Sequence, residues 1–315
     1  MTRQKITHII KTTATALVAF CLLWLTLLDV HTGWCEELPV LLNAMLVIGS
    51  VAFVSVIFKK QMCKICWLDK IVLLWFVYIT FNYWFISPYP AGERYFVFLS
   101  SLLLYILLRY TLAKDNKYIL LLALCIGGIY EAILGVMQLM GWEYSRHSMF
   151  DITGTFFNPG PFSAYLVVAL AVATAYIYRR RKLYNYPYFK KGMPARRILS
   201  ICIYIICGIT LFVTAITLPA TWSRAAFVAY FIVLLVLFYK KHKKWVLGLV
   251  CISTIVGVFL YFAKQGSANG RVLMNIVSMR AIESKLLLGY GIGGFANALP
   301  IARQNISRRI PTLRL

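Results

Sequence analysis

Apolar runs recur along the whole chain, separated by short polar and basic blocks. Nine of them, 15 to 24 residues long, lie near the about 17 to 25 that a spanning helix takes: 13–30, 38–58, 71–86, 95–112, 118–141, 160–178, 198–219, 225–239 and 245–263. The pattern predicts an all-α, polytopic transmembrane helical bundle of about nine spans. The first run is a full span with no small-residue cleavage site after it, so it reads as a retained helix and not as a leader peptide. The chain is read as two regions. Residues 1–150 hold the N-terminal helices, and 151–315 hold spans six to nine with the segment beyond them.

The composition agrees. Of 315 residues, 61% are hydrophobic and 14% charged, where a soluble domain would carry about a quarter charged. Mean hydropathy is +0.76. The net charge of +23 invites a nucleic-acid reading, but its distribution argues for a membrane. With a cytoplasmic N-terminus, 21 of the 33 lysines and arginines fall in cytoplasmic segments and three in external loops; eight lie in the tail after residue 263. The positive-inside rule then sets the N-terminus inside, and an odd number of spans puts the C-terminal tail outside. The basic loop RRRKLYNYPYFKKGMPARR, 179–197, reads as a topogenic loop against anionic headgroups.

Candidate chemistry is sparse. Cys63 and Cys66 have metal-like spacing but lack a second pair, and read as reduced, unliganded thiols. The four histidines are scattered, so neither a metal nor another cofactor is expected. GYGIGG, 289–294, lacks the preceding strand and the following acid of a dinucleotide loop and reads as a tight turn. Glu131 lies mid-span with Gln138 two turns on. It is a functional carboxylate or a protonated group hydrogen-bonded within the bundle, and the sequence leaves both open. The loop WEYSRHSMFDITGTFFNP, 142–159, ends in Asn158-Pro159-Gly160-Pro161. That arrangement predicts a helix starting at Pro159 or Pro161, with Asn158 near its cap.

Arg224, in TLPATWSRAAFVAY, is one of the three basic residues in the external loops. A snorkelling boundary residue is one reading. An anion site is the other, because a guanidinium fork suits phosphate or carboxylate. After a turn-rich connector, KQGSANG at 264–270, polar residues Arg271, Asn275, Ser278 and Lys285 recur at helical spacing through 271–288, as in a helix lying in the outer interface. Arg271 and Arg280 on that segment, together with Arg224, could surround a lipid-borne anionic group.

Three stretches, in order, resemble motifs of the O-antigen ligase and O-antigen polymerase superfamily. GTFFNPGPFSAYL, 154–166, is similar to its G-T-F-x-N-P-N-x-x-A-x-x-L. TWSRAAFVAY, 221–230, is similar to S-x-S-R-[GA]-A. NGRVLMNIVSMRAIESKLLLGYGIGGF, 269–295, is similar to G-R-x-x-x-W followed by P-l-l-G-x-G-x-G-x-F. The resemblance implies a metal-independent glycosyltransferase of the bacterial inner membrane, active on the periplasmic face. It would move a glycan from an undecaprenyl diphosphate carrier to lipid A–core in a ligase, or to another repeat unit in a polymerase. It assigns diphosphate binding to Arg224 and Arg271, with Ser223, Asn158, Arg280 and Glu131 as supporting residues. The chain departs from the pattern at Gly160, where the family has asparagine, and at Asn275, where it has tryptophan. The family's later His-Asn motif has no counterpart before the chain ends, so the resemblance implies the front part of a longer enzyme. His147 could serve as a substitute base, the alternative being an ordinary loop histidine. A transporter for a lipid-linked anion would need ionisable residues along its spans and an internal repeat, and a purely structural membrane subunit would need neither. Partners are thus the lipid-linked donor, a glycan acceptor and the bilayer, with no nucleic acid.

The charge distribution makes a direct prediction. A C-terminal alkaline phosphatase fusion should be active, and a C-terminal reporter that matures only in the cytoplasm should stay dark; the reverse pair of results would overturn the nine-span arrangement.

Overall fold

The computed structural model describes residues 9, 11–20, 23, 65–87, 93–111, 117–183, 194–239, 248, 250–251, 254–255, 265–286, 288–291, 294–295 and 297–300. Among these, all regular structure is helical: α1 (Trp67–Phe81) with a π-helical turn (Asn82–Ile86), α2 (Glu93–Thr111), α3 (Lys117–Leu139), α4 (Pro159–Leu183), α5 (Pro194–Ala220), α6 (Arg224–Phe238) and α7 (Gln265–Ser284). Among the described residues, four stretches are long and apolar enough to cross a membrane: Trp67–Ile86, Lys117–Leu139, Pro159–Tyr178 and Ser200–Ala220. The expected span 38–58, half of 13–30 and most of 245–263 lie outside the described residues.

The chain forms two compact units, Met1–Leu38 with Leu112–Ala263, and Pro39–Thr111 with Lys264–Leu315. In the first, α3, α4 and α5 pack on one another, and α6 packs on α4. Lipid is as apolar as leucine, so helices here gain little from hiding apolar surface from a neighbour. They gain from close packing and from hydrogen bonds across small residues. α3 supplies glycines for this purpose. A methyl group at Gly128 would strike Ala169 of α4, and one at Gly135 would lie 2.8 Å from the Phe162 ring and 2.9 Å from Thr217. α5 answers with the buried threonines Thr210, Thr214 and Thr217. Thr210 Oγ1 donates to the Ile206 carbonyl on its own helix and reaches the Cys125 carbonyl of α3 at 3.4 Å. Thr217 does the same with Val213 and, at 3.1 Å, with Ala132 of α3. The fully buried Phe162 and Leu166 fill the centre beside Ala132, Leu170 and Leu218. Large apolar side chains such as Phe212, Ile216, Val228 and Val236 lie on the outside, as a lipid-facing surface requires.

In the second unit α1 and α2 are joined at one end by a polar knot. Asp69 Oδ2 accepts the Cys66 N–H at 2.7 Å and so caps α1. Asp69 Oδ1 accepts the Tyr105 hydroxyl at 2.7 Å and Arg109 Nε at 3.2 Å. Further along, Phe76 stacks on Phe98 and Tyr83 on Tyr95. In the same unit α7 buries Val277 and Ala281 against Ala298.

Two expectations about element ends need correction. The third apolar run begins as a helix at Trp67, before residue 71, because Asp69 can cap there; its last five residues form the π turn. The connector 264–270 is helical from Gln265. Two glycines in seven residues suggested a turn, but their cost of about 1 kcal/mol each is carried by the longer helix they lead into.

The glycine contacts predict opposite effects on one fold. Gly135→Leu should lower stability by about 1–3 kcal/mol through overpacking. Gly208→Ala, in helix α5 with no heavy atom within 4 Å of the added methyl, should raise it by about 0.5–1 kcal/mol. Thermal unfolding in detergent measures both, and a neutral Gly135→Leu would contradict the packing described.

Candidate functional site

The loop between α3 and α4 carries the first of the three motif-like stretches, and two side chains of α3 shape it. Glu131 and Gln138 are seven residues apart, so they point the same way two turns apart along the helix. Both are buried. Gln138 Oε1 accepts the backbone N–H groups of Thr153 at 2.9 Å and Gly154 at 2.8 Å. Its Nε2 donates to the carbonyls of Gly154 at 3.0 Å and Tyr144 at 3.1 Å. Glu131 Oε2 accepts the Thr155 N–H at 3.0 Å, and Oε1 accepts the Thr155 hydroxyl. Four of the six bonds tie three successive backbone units of the loop, 153–155, to a helix long and apolar enough to cross a membrane; the other two go to the Tyr144 carbonyl and the Thr155 hydroxyl.

Gly154 is what allows the approach. Its φ is +59°, in the left-handed region. A methyl group there would run into Glu131 Oε2 and the Phe162 ring. Ile152 on the near side of the glycine and Phe162 beyond it both enter the central apolar cluster. Asn158 then caps α4: its Oδ1 accepts the Gly160 N–H at 2.8 Å, and Pro159 opens the helix. The cap and the helix start are those read from the sequence.

The second motif-like stretch forms the reversal from α5 to α6. Pro219 lies in the last turn of α5. Thr221 Oγ1 donates to the Leu218 carbonyl at 2.7 Å and accepts the Ser223 N–H at 3.3 Å. Trp222 between them has φ +50°, a costly conformation for a bulky residue and one that clusters at functional sites. Ser223 is the N-cap of α6, its Oγ accepting the Ala226 N–H at 3.4 Å. Arg224 is the first residue of that helix and is half-buried. It stands where the helix dipole and the first N–H groups already favour an anion. Ala226, two residues on, belongs to the same buried cluster as Ile152, Phe162 and Leu218. Tyr230, at the end of the stretch, brings its hydroxyl to 3.2 Å from that of Thr174 on α4. The loop after α3 and the start of α6 thus share one core.

The other sequence candidates fall elsewhere. Arg271 lies on the α7 backbone, and its side chain is outside what is described. Arg280 is exposed and pairs with Glu283 at 2.9 Å. His147 is wedged against Phe150 and Phe157, and its Nδ1 accepts the Met149 N–H at 3.1 Å, so the lone pair a base would use is already engaged within the loop. Arg271 and Arg280 belong to a different unit from Arg224. Among the described residues no three His, Cys, Asp or Glu side chains come together as a metal site requires. The sequence marked Gln138 only as a neighbour of Glu131; its four bonds to backbone groups 6 to 16 residues away carry no residue-type signature.

Comparison with known proteins adds no relative: no family model, curated protein or solved structure matches the chain.

The hold on the loop predicts a graded mutational response. Gln138→Leu leaves buried backbone groups without partners, at about 1–3 kcal/mol per group. It should open segment 142–158 to protease in detergent. Glu131→Gln keeps one acceptor for the Thr155 N–H and should be milder. Equal resistance of Gln138→Leu and the wild-type loop would show that the clamp does not hold it.

Proposed function

We propose that the chain is a multi-pass membrane glycosyltransferase of the O-antigen ligase type, with nine spans, a cytoplasmic N-terminus and its active face in the periplasm. The observation that carries this reading is the shared core of two separate motif-like stretches. Phe162, from GTFFNPGPFSAYL, and Ala226, from TWSRAAFVAY, pack in one buried cluster although they are 64 residues apart in sequence. A chance likeness of two short strings gives no reason for them to meet.

The chemistry follows from what a glycosyl diphosphate needs. Its leaving group already departs readily, and the catalyst must stabilise the negative charge that grows on the bridging oxygen and the phosphates. Arg224 at a helix N-terminus supplies a fixed fork of donors for that charge. Ser223 sets the start of the helix, and the strained Trp222 sets the reversal before it. Glu131 and Gln138 act at one remove, as positioning residues that fix the loop leading to Asn158. The donor in this reading is a glycan on undecaprenyl diphosphate and the acceptor is lipid A–core.

Arg224→Lys tests the assignment. Lysine keeps the charge but loses the bidentate fork, so glycan transfer should fall by about tenfold or more, the loss of one charge-assisted hydrogen bond worth about 1.5–3 kcal/mol. Transfer is read as glycan-bearing lipid in membranes of cells expressing the protein, with protein level followed by immunoblot. Undiminished transfer by the lysine variant would remove Arg224 from the diphosphate site.

A further inference from the structure

A cavity of about 460 Å³ opens within the unit formed by Pro39–Thr111 and Lys264–Leu315. That volume falls in the about 300–1,000 Å³ range of small-molecule sites. On one side stand α1 and its π turn, and on the other the end of α7 and the glycine turn that follows it. The walls are apolar, with Trp75, Ile79, Ile282, Leu286 and Phe295 among them.

Among the polar groups that line the cavity are Asn82 and Lys285. Asn82 opens the π turn and is only 4% exposed. Its Nδ2 donates to the Leu288 carbonyl at 2.6 Å, which fixes the orientation of the amide. Its Oδ1 is buried and accepts no hydrogen bond among the described residues. A buried acceptor left in this way calls for a donor. The oxygen faces the glycine turn: a methyl group on Gly291, whose φ is +80°, would lie 2.8 Å from it. Isolated π turns of this kind are frequent at functional sites. Lys285 lines the same cavity and is exposed, its Nζ held 4.8 Å from the centre of the Tyr290 ring. Tyr290 in turn shares a 2.7 Å hydrogen bond with Ser284.

The depth of these groups gives the ligand its shape. Trp75 lies seven residues before Asn82 on a helix able to cross a membrane, hence about 10 Å deeper along it. The outer face of that helix exposes Leu74, Trp75 and Phe81, so the cavity adjoins a lipid-facing surface. An occupant needs an apolar tail toward Trp75, a negative charge at Lys285 and a hydroxyl donor for Asn82.

We propose that this cavity binds an anionic phospholipid with a hydroxylated headgroup, of the phosphatidylglycerol class, as a bound lipid separate from any glycan donor. The phosphate pairs with Lys285, a glycerol hydroxyl donates to Asn82 Oδ1, and one acyl chain lies along Trp75 and Ile79. The assignment is independent of the proposed glycosyl transfer.

The test uses the full chain in mixed micelles containing phospholipids brominated on the acyl chain, with tryptophan fluorescence as readout. The component lost in Trp75→Phe should be quenched by brominated phosphatidylglycerol at about one fifth of the mole fraction needed with brominated phosphatidylethanolamine, the preference one basic residue gives near an anionic lipid. Lys285→Gln should abolish the preference. Ile282→Phe, which fills the cavity and keeps the charge, should weaken quenching by both lipids, and circular dichroism checks that each variant keeps its helices. Equal quenching by the two lipids in the wild-type chain overturns the proposal, as does a preference that survives both Lys285→Gln and Ile282→Phe. Soluble glycerol phosphate separates the two sources of the same headgroup: abolition of the preference at equimolar ester overturns the lipid assignment, and its persistence supports it.

Discussion

Everything distinctive about the first unit depends on burying the two polar side chains Glu131 and Gln138 inside a helix that can cross a membrane. An unsatisfied polar group there would cost several kcal/mol, so each must find partners. Both find them in the backbone of residues 153–155. The requirement works in both directions. The side chains need the loop, and the loop needs them to satisfy N–H groups that no helix or strand would pair. Gly154 is forced by the same contact, since its missing Cβ is the space in which the carboxylate sits.

That anchor links local structure to the site. Once residues 153–155 are fixed, Ile152 and Phe162 enter the core, Asn158 caps α4, and α4 presents the face on which α6 packs. Ser223 and Arg224 are then placed at the start of α6 by a turn that holds Trp222 at positive φ. The small-residue packing of α3 against α4 and α5 gives the frame its rigidity. Gly128, Gly135 and the three threonines of α5 leave little room for the helices to slide.

Much of the frame is legible from residue order, and the limits have physical causes. The apolar runs 118–141, 160–178, 198–219 and 225–239 correspond to α3 through α6 with ends shifted by one to five residues, because hydropathy reports the lipid-exposed length while caps decide where helices begin. Pro159 and Asn158 signal their helix start through φ and side-chain geometry that are local to the sequence. Asp69 and Arg109 look like two unrelated boundary charges; they pair across 40 residues, and only the fold brings them together. Gln138 escaped for a related reason, since its partners are backbone atoms present at every position. Arg224 drew attention because a basic residue in a short loop that the charge count reads as external breaks the charge pattern. The 460 Å³ cavity had no sequence signal beyond the glycines, which read as a turn and do form one at Gly289 and Gly291.

The central claim is that Arg224, at the start of a helix held against the clamped loop, receives a diphosphate. Binding of a short isoprenyl diphosphate to the purified chain, compared with the corresponding isoprenol by native mass spectrometry, tests it most directly. The account predicts that the diphosphate binds, that the alcohol does not, and that Arg224→Ala abolishes the difference; equal binding of the two ligands, or a difference unchanged in Arg224→Ala, would contradict it.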